Sequence, residues 1–354
     1  MAGRWFFPSG VVSSTEFCQA HAVAGRRSGD QAASGADTDT NERLDIQVNG
    51  PLPAVASLAA RLALRSGQAL AYRRTRGVWR LYRALVPLLF RGPKVAPFLR
   101  RFRFVANGSC EFKALMACGF VHRDLDRAIQ ACLAGIARDG KINFFDIGAN
   151  EAFVSLLACS GEFARGRVRA LCFDPSPEAL AVASQNVQLN AFNIDLFPIG
   201  LSDVVGKATL VLQDADSSFA GRDIFPAATG VEAEVTTLDA FCSGSGIYPD
   251  IIKIDVEGWE PKVLAGAEKV LRERRPVLFS EVNPKMLSAA GSSVRELLSL
   301  LRSLGYDLYD VDPTLGSSVS TGKAPAKTWG GLPGVQDGDR CDTVLWDVAA
   351  VPRD

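Results

Sequence analysis

The first apolar–polar pattern along the chain lies at residues 54–90. There Leu and Val interleave with Arg in the manner of one or two basic amphipathic helices. Residues 1–50 before it, rich in Ser, Gly, Ala, Asp and Thr without periodicity, read as a disordered tail. Pro93 and Pro97 end the basic region, and "RFRFVANG" alternates like a short strand. "DLDRAIQACLAGIARDG" predicts a helix with Asp124 as N-cap and Gly140 just past its end. From residue 142 the pattern repeats: "INFFDIG" precedes helical "AFVSLLACSG", and "VRALCFD" precedes "PEALAVASQNVQLN". "IDLFPIG" leads to a polar turn, and "ATLVLQD" with "EAEVTTL" predicts an inserted hairpin. "PDIIKIDVEG" then precedes "PKVLAGAEKVLRER", and "PVLFSEV" precedes "SVRELLSLLRSLG". Continuous apolar strands alternating with helices predict an α/β fold with a parallel sheet covered on both faces. "YDLYDVD" and "CDTVLWDVA" close the chain, and their non-helical connection makes the last strand antiparallel.

Three segments follow from this pattern: a tail over 1–50, a basic helical extension over 51–121, and an α/β domain over 122–354. Within the last, the Gly/Pro/Ser-rich stretch 313–340 predicts a flexible insertion.

Charge changes the picture in one place. Formal net charge is zero over 354 residues, yet no Asp or Glu occurs from Ile46 to Cys110. The basic residues of that stretch, concentrated over 58–103, suit a polyanion or an anionic membrane surface, and the remaining chain is net acidic. The eight cysteines form no C-x-x-C pair and sit mostly among apolar residues, as free buried thiols do. "VWRLYRALVPLLF" is too short and too charged to span a bilayer. The expectation is a cytoplasmic chain, with peripheral contact at the inner membrane surface.

In an open α/β sheet, ligands bind beyond the carboxyl ends of the strands. The first such loop, "FFDIGANEAF", lacks the glycines of a dinucleotide fingerprint, since Asn150 and Phe153 stand where two of them belong. No G-K-[ST] follows for a phosphate loop either. The loop offers instead a carboxylate, Asp146, and a glycine, Gly148, which suits a cationic ligand without phosphate. S-adenosylmethionine has that character. Asp174, ending the second strand, is placed for its ribose hydroxyls, and Ser202 with Asp203, after the third, for the adenine edge.

"FFDIGANEAF", "FDPSPEALAVASQNVQLN", "TTLDAF", "IIKIDVEGWEPKVLAGAEKVL" and "PVLFSEV" together resemble the FkbM-type methyltransferases over about residues 142–283. The resemblance implies a seven-stranded class I (Rossmann-like) methyltransferase sheet and S-adenosylmethionine as donor. It also implies O-methylation of a glycan, glycolipid, polyketide or related secondary metabolite. Asp146, Gly148 and Asn150 match the family's D-x-G-A-N-x-G motif, whereas Ala152 replaces its second glycine and Glu151 a usually apolar residue.

Methyl transfer needs an aligned donor and acceptor, and a base adds to the rate. Glu257, after the fourth strand, is the proposed base and Asp255 a cofactor-side carboxylate, although Glu257, Glu260 and Pro261 also suit the opening of a helix. His122 is the one imidazole candidate outside the tail. Lys253, in a buried strand, needs a partner, and Glu281 on the adjacent strand is expected to supply it. Trp329, in "TWGG", is expected to close over a sugar acceptor. No metal is expected. The competing readings are a non-catalytic interaction protein of the same fold, a nucleic-acid methyltransferase and an NAD-dependent oxidoreductase. Without N-P-P-[YF] or Pro-Cys, nucleic acid is not the expected partner.

Overall fold

The computed structural model describes residues 4–7, 10–13, 93–98, 101–107, 123–136, 140–164, 166–213, 216–218, 229–311, 328–329, 332–335 and 346–353. Two compact units divide the chain, 1–24 with 124–187 and 192–354, and 25–123 with 188–191. In the second unit Pro93–Phe98 and Phe102–Asn107 pair as an antiparallel hairpin. The Arg103 backbone N–H donates to Asn190 Oδ1 at 2.9 Å. The helices expected over 54–90, and most of the arginine segment 58–103, lie outside the described residues. In the first unit, Arg4–Phe7 pairs antiparallel with Gly10–Ser13, inside the stretch read from composition as a tail.

The large sheet has seven strands: β1 Ile142–Ile147, β2 Val168–Phe173, β3 Asn193–Phe197, β4 Ile251–Ile254, β5 Val277–Val282, β6 Tyr306–Asp310 and β7 Trp346–Pro352. Their order is β6-β7-β5-β4-β1-β2-β3, with β7 antiparallel to both neighbours and every other pair parallel. This is the sheet of the class I methyltransferase fold implied by the resemblance. The switch point falls between β1 and β4, where successive crossovers leave in opposite directions, so the loops after these strands open a crevice.

The helices are α1 Arg123–Gly135, α2 Phe153–Ser160, α3 Pro177–Gln188, α4 Leu238–Ser245, α5 Glu260–Ala265, α6 Glu268–Glu273, α7 Pro284–Ala289 and α8 Val294–Ser303. Asp124 lies in the first turn of α1, where a carboxylate suits the helix dipole, and is not the cap. "PKVLAGAEKVLRER" predicts one helix, yet α5 and α6 are separate. The Gly266 carbonyl accepts from Asp239 N at 3.0 Å and so leaves the helical ladder. A Cβ on Gly266 would stand 1.9 Å from the Ser202 carbonyl oxygen, so this break is where the α5 region meets the loop after β3.

The main core lies on one face of the sheet. Phe145, Phe173 and Phe197 from three strands pack with Phe241 of α4, the Phe173 and Phe241 rings meeting edge to face at 4.8 Å. Alternation sends the intervening residues to the opposite face. There the register sets Cys172, Asp146, Lys253 and Phe279 side by side across β2, β1, β4 and β5. A charged pair therefore stands in the middle of a sheet face. The inserted hairpin expected from "ATLVLQD" and "EAEVTTL" forms as Gly206–Gln213 against Thr229–Thr236, joined by Asp216–Ser218 and Gly200–Leu201 in a separate four-stranded sheet.

Candidate active site

The loop after β1 is held in a conformation few residues adopt. Gly148 has φ +73°, and a Cβ there would lie 1.8 Å from the Asp255 carbonyl oxygen, so glycine is required on both counts. Asn150 (φ 48°) and Ala152 (φ 62°) are also left-handed, as is Glu257 (φ 51°) after β4. Among the described residues the one other non-glycine with positive φ is Arg275. Strained backbone thus gathers on the two loops that flank the switch point, which is where functional sites store it.

Asp146 is fully buried beneath this loop. Ser155 Oγ, from α2, donates to its Oδ2 at 2.7 Å, and Lys253 Nζ lies 3.3 Å from its Oδ1. Lys253 also donates to the Gly148 carbonyl at 2.9 Å and lies 3.3 Å from Asp255 Oδ2. Burial works against the ammonium, but Asp255 and Asp146 outweigh it and hold its pKa above the usual lysine range. The expected Lys253–Glu281 pair does not form. Lys253 is level with Asp146 on β1 and Phe279 on β5, and its side chain turns toward β1 instead.

Asp174 ends β2 with both oxygens engaged by backbone. Asn150 N–H donates to Oδ2 at 2.7 Å and Ser176 N–H to Oδ1 at 2.9 Å. Burial pushes its pKa up to about 6 against the lowering effect of those two N–H groups. Each oxygen keeps a lone pair for a hydroxyl donor.

Ser202 and Asp203 are tied to the α5 region. Trp259 Nε1 donates to Ser202 Oγ at 3.1 Å, and Ser202 Oγ to Asp203 Oδ1 at 3.0 Å. Lys262 pairs with Asp203 Oδ2 at 2.7 Å, and its hydrogen bond holds Asp203 below the usual carboxylate pKa. Trp259 was not picked out from the sequence, where "EGWE" reads as the opening of a helix.

The acids after β4 and at the end of β5 converge. Asp255, Glu257 and Glu281 each bring a carboxylate oxygen within 4.8 Å of the others, close enough to share a proton or hold a divalent cation. Glu257 Oε2 accepts from Asn283 Nδ2 at 3.2 Å. Burial, then Asp255, Glu257, Asp347 and Glu260, push Glu281 well above the usual carboxylate range. Glu260, which sequence reasoning treated only as a helix-opening acid, is fully buried, and its Oε1 accepts from Val256 N–H and Gly258 N–H at 3.2 Å each. Burial lifts its pKa to about 7. Its sequence signal is an acid four residues after Val256 and two after a glycine with φ +94°.

Trp329 packs against Phe279 of β5 and Tyr309 of β6, with ring centroids 6.4 and 6.0 Å apart. The remainder of 313–340, apart from residues 328–329 and 332–335, lies outside the described residues, as do both histidines, His21 and His122. Among the described residues, no helix is long and apolar enough to cross a membrane.

Residues 146–308 match the family model described as the methyltransferase FkbM domain. A 2-O-methyltransferase, NoeI, of Sinorhizobium fredii is 25% identical over 156 residues, 39% of this chain and 63% of that protein. The chain thus spans less than two thirds of that relative. The methyltransferase FkbM structure from Methylobacillus flagellatus is 19% identical over 56% of this chain and 49% of that one, with a TM-score of 0.33. A precorrin-6y C5,15-methyltransferase structure from Geobacter metallireducens is 15% identical over 64% of this chain and 87% of that one, with a TM-score of 0.35.

Proposed function

With residues 146–308 an FkbM-type methyltransferase domain, we propose that this chain moves a methyl group from S-adenosylmethionine to a hydroxyl of a glycan, glycolipid or related secondary metabolite. The observation that carries the reading is Asp174. It is a buried carboxylate at the end of β2, fixed by the backbone of the β1 loop, with capacity left for a vicinal diol. The donor's remaining groups fit as well. Its ammonium and sulfonium are cations, and the β1–β4 edge carries Asp146 and Asp255 against the single charge of Lys253.

When bound, S-adenosylmethionine supplies an electrophilic methyl group, and the chain's own residues supply alignment and a proton acceptor. Asp255, part-exposed at the end of β4, faces the cofactor side. Glu257 takes the acceptor's proton, with its carboxylate aimed by Asn283. Ser202 and Asp203 shape the adenine end through their ties to Trp259 and Lys262. Trp329 offers an aromatic face to a sugar ring, and His122 is a second base candidate. Transfer to oxygen is carried over from NoeI, named as a 2-O-methyltransferase, and the acceptor class is what the FkbM resemblance implies. The 58–103 arginines would bring the enzyme to a lipid-linked acceptor at an anionic membrane in the cytoplasm.

Incubating the purified full chain with methyl-labelled S-adenosylmethionine and fractionated glycans, glycolipids and nucleic acids tests this. Label in a glycan or glycolipid fraction, absent with the Glu257→Gln variant, is expected. Label confined to nucleic acid would overturn the acceptor class.

A further inference from the structure

Lys253 joins three segments of the site. Its Nζ reaches the carboxylate of β1 (Asp146, 3.3 Å), the carbonyl of the strained cofactor loop (Gly148, 2.9 Å) and the carboxylate after its own strand (Asp255, 3.3 Å). Lys253 is 4% exposed, and a buried ammonium is kept only when several acceptors surround it. The two carboxylates and one ammonium leave a net charge of −1 at the edge assigned to a cationic donor.

We propose that Lys253 is a positioning residue for the methyl donor, fixing the Gly148 carbonyl and the Asp255 carboxylate in one arrangement at the donor's edge of the site. The inference rests on the reading of the site as one for S-adenosylmethionine and deepens it. Other charged groups face this junction from each side. Asp174 comes from the end of β2, and its ionisation is eased by Lys253 and opposed by Asp146. The thiols of Cys172 on β2 and Cys159 on α2 face Asp146 and are held protonated chiefly by burial. Glu281 from β5 and Glu260 from α5 face Asp255. None of these adds a positive charge. A merely structural lysine would set folding stability alone, whereas this one also sets the pH at which the donor binds.

The test is calorimetric titration of S-adenosylmethionine into the full chain from pH 5 to 9, for wild type, Lys253→Met and Lys253→Arg, with turnover measured alongside. Wild-type affinity should rise through a midpoint near pH 6, where Asp174 ionises. Lys253→Met should move that midpoint up by about one unit, which by itself weakens binding at pH 7 about twofold. Lys253→Arg keeps the charge but not the point geometry, so it should keep the midpoint and lose turnover by about tenfold. Should Lys253→Met not fold, as judged by circular dichroism, the arginine variant decides: unchanged turnover with unchanged affinity overturns the proposal. A folded Lys253→Met with the wild-type midpoint also overturns it. Absence of binding by wild type instead overturns the functional reading beneath it.

Discussion

The backbone N–H of Asn150 donates to Asp174 Oδ2 at 2.7 Å, tying the loop after β1 to the end of β2. One carboxylate therefore shapes the loop after β1 and is also the proposed ribose ligand. Its raised pKa makes this costly. The folded carboxyl holds its proton up to about pH 6, whereas an unfolded aspartate releases it near the ordinary 3.8. The folded state thus binds more protons in that window, and its stability falls as pH rises through it. Asp174→Asn should remove that fall and stabilise the ligand-free chain at pH 7 by about 3 kcal/mol at most, less what the weakened Asn150 and Ser176 bonds cost. It should also weaken S-adenosylmethionine binding at least ~tenfold. Thermal unfolding of wild type and variant from pH 4 to 8 checks the first part; a wild-type stability that rises through pH 4–6 and an unchanged difference between the two would contradict it.

Ala152 sits left-handed and fully buried where the family motif has glycine. Left-handed backbone costs a non-glycine residue about 1–2 kcal/mol, while glycine would lose a buried methyl worth about 0.8 and add chain entropy worth about 0.5–1. These nearly cancel, so Ala152→Gly should stay within about 1 kcal/mol of wild type in urea unfolding. Ala152→Val brings branching to the same backbone and should cost more than about 2 kcal/mol. Equal stability of the valine variant would mean that the loop relaxes away from this conformation.

Gly148→Ala places a Cβ 1.8 Å from the Asp255 carbonyl oxygen. The β1 and β4 loops would have to part, so cofactor binding should be lost before the fold is. Calorimetry beside circular dichroism separates the two, and retained affinity would show that the loops need not touch.

Glu257→Gln keeps the shape and the Asn283 contact but removes the proposed base. Turnover should fall by about 10²–10⁴-fold with cofactor affinity nearly unchanged. Wild-type turnover would leave Glu257 as a turn residue whose left-handed backbone serves the helix start alone.

Much of this was legible in the chain. The alternation of apolar runs and helices carried the parallel sheet, and "FFDIG", "CFD" and "KIDVEG" put Asp146, Asp174 and Asp255 at strand ends. Spacing along one strand does not reveal the register between strands, so Lys253 was given Glu281, although β1 stands closer to its ammonium. The split between α5 and α6 was hidden for a related reason. "LAGAEKV" is helix-compatible locally, and only the approach of Asp239 and Ser202 from elsewhere breaks it. Ser155 and Glu260 were passed over because a helix serine and a helix-opening acid are ordinary until their buried partners are seen.

The central claim is that these strand ends hold S-adenosylmethionine, and direct calorimetric titration of that compound into the wild-type chain at pH 7.5 tests it. The account predicts saturable binding of one molecule per chain, competed by S-adenosylhomocysteine and reduced at least ~tenfold in Asp174→Ala. No binding, or equal binding by the variant, would contradict it.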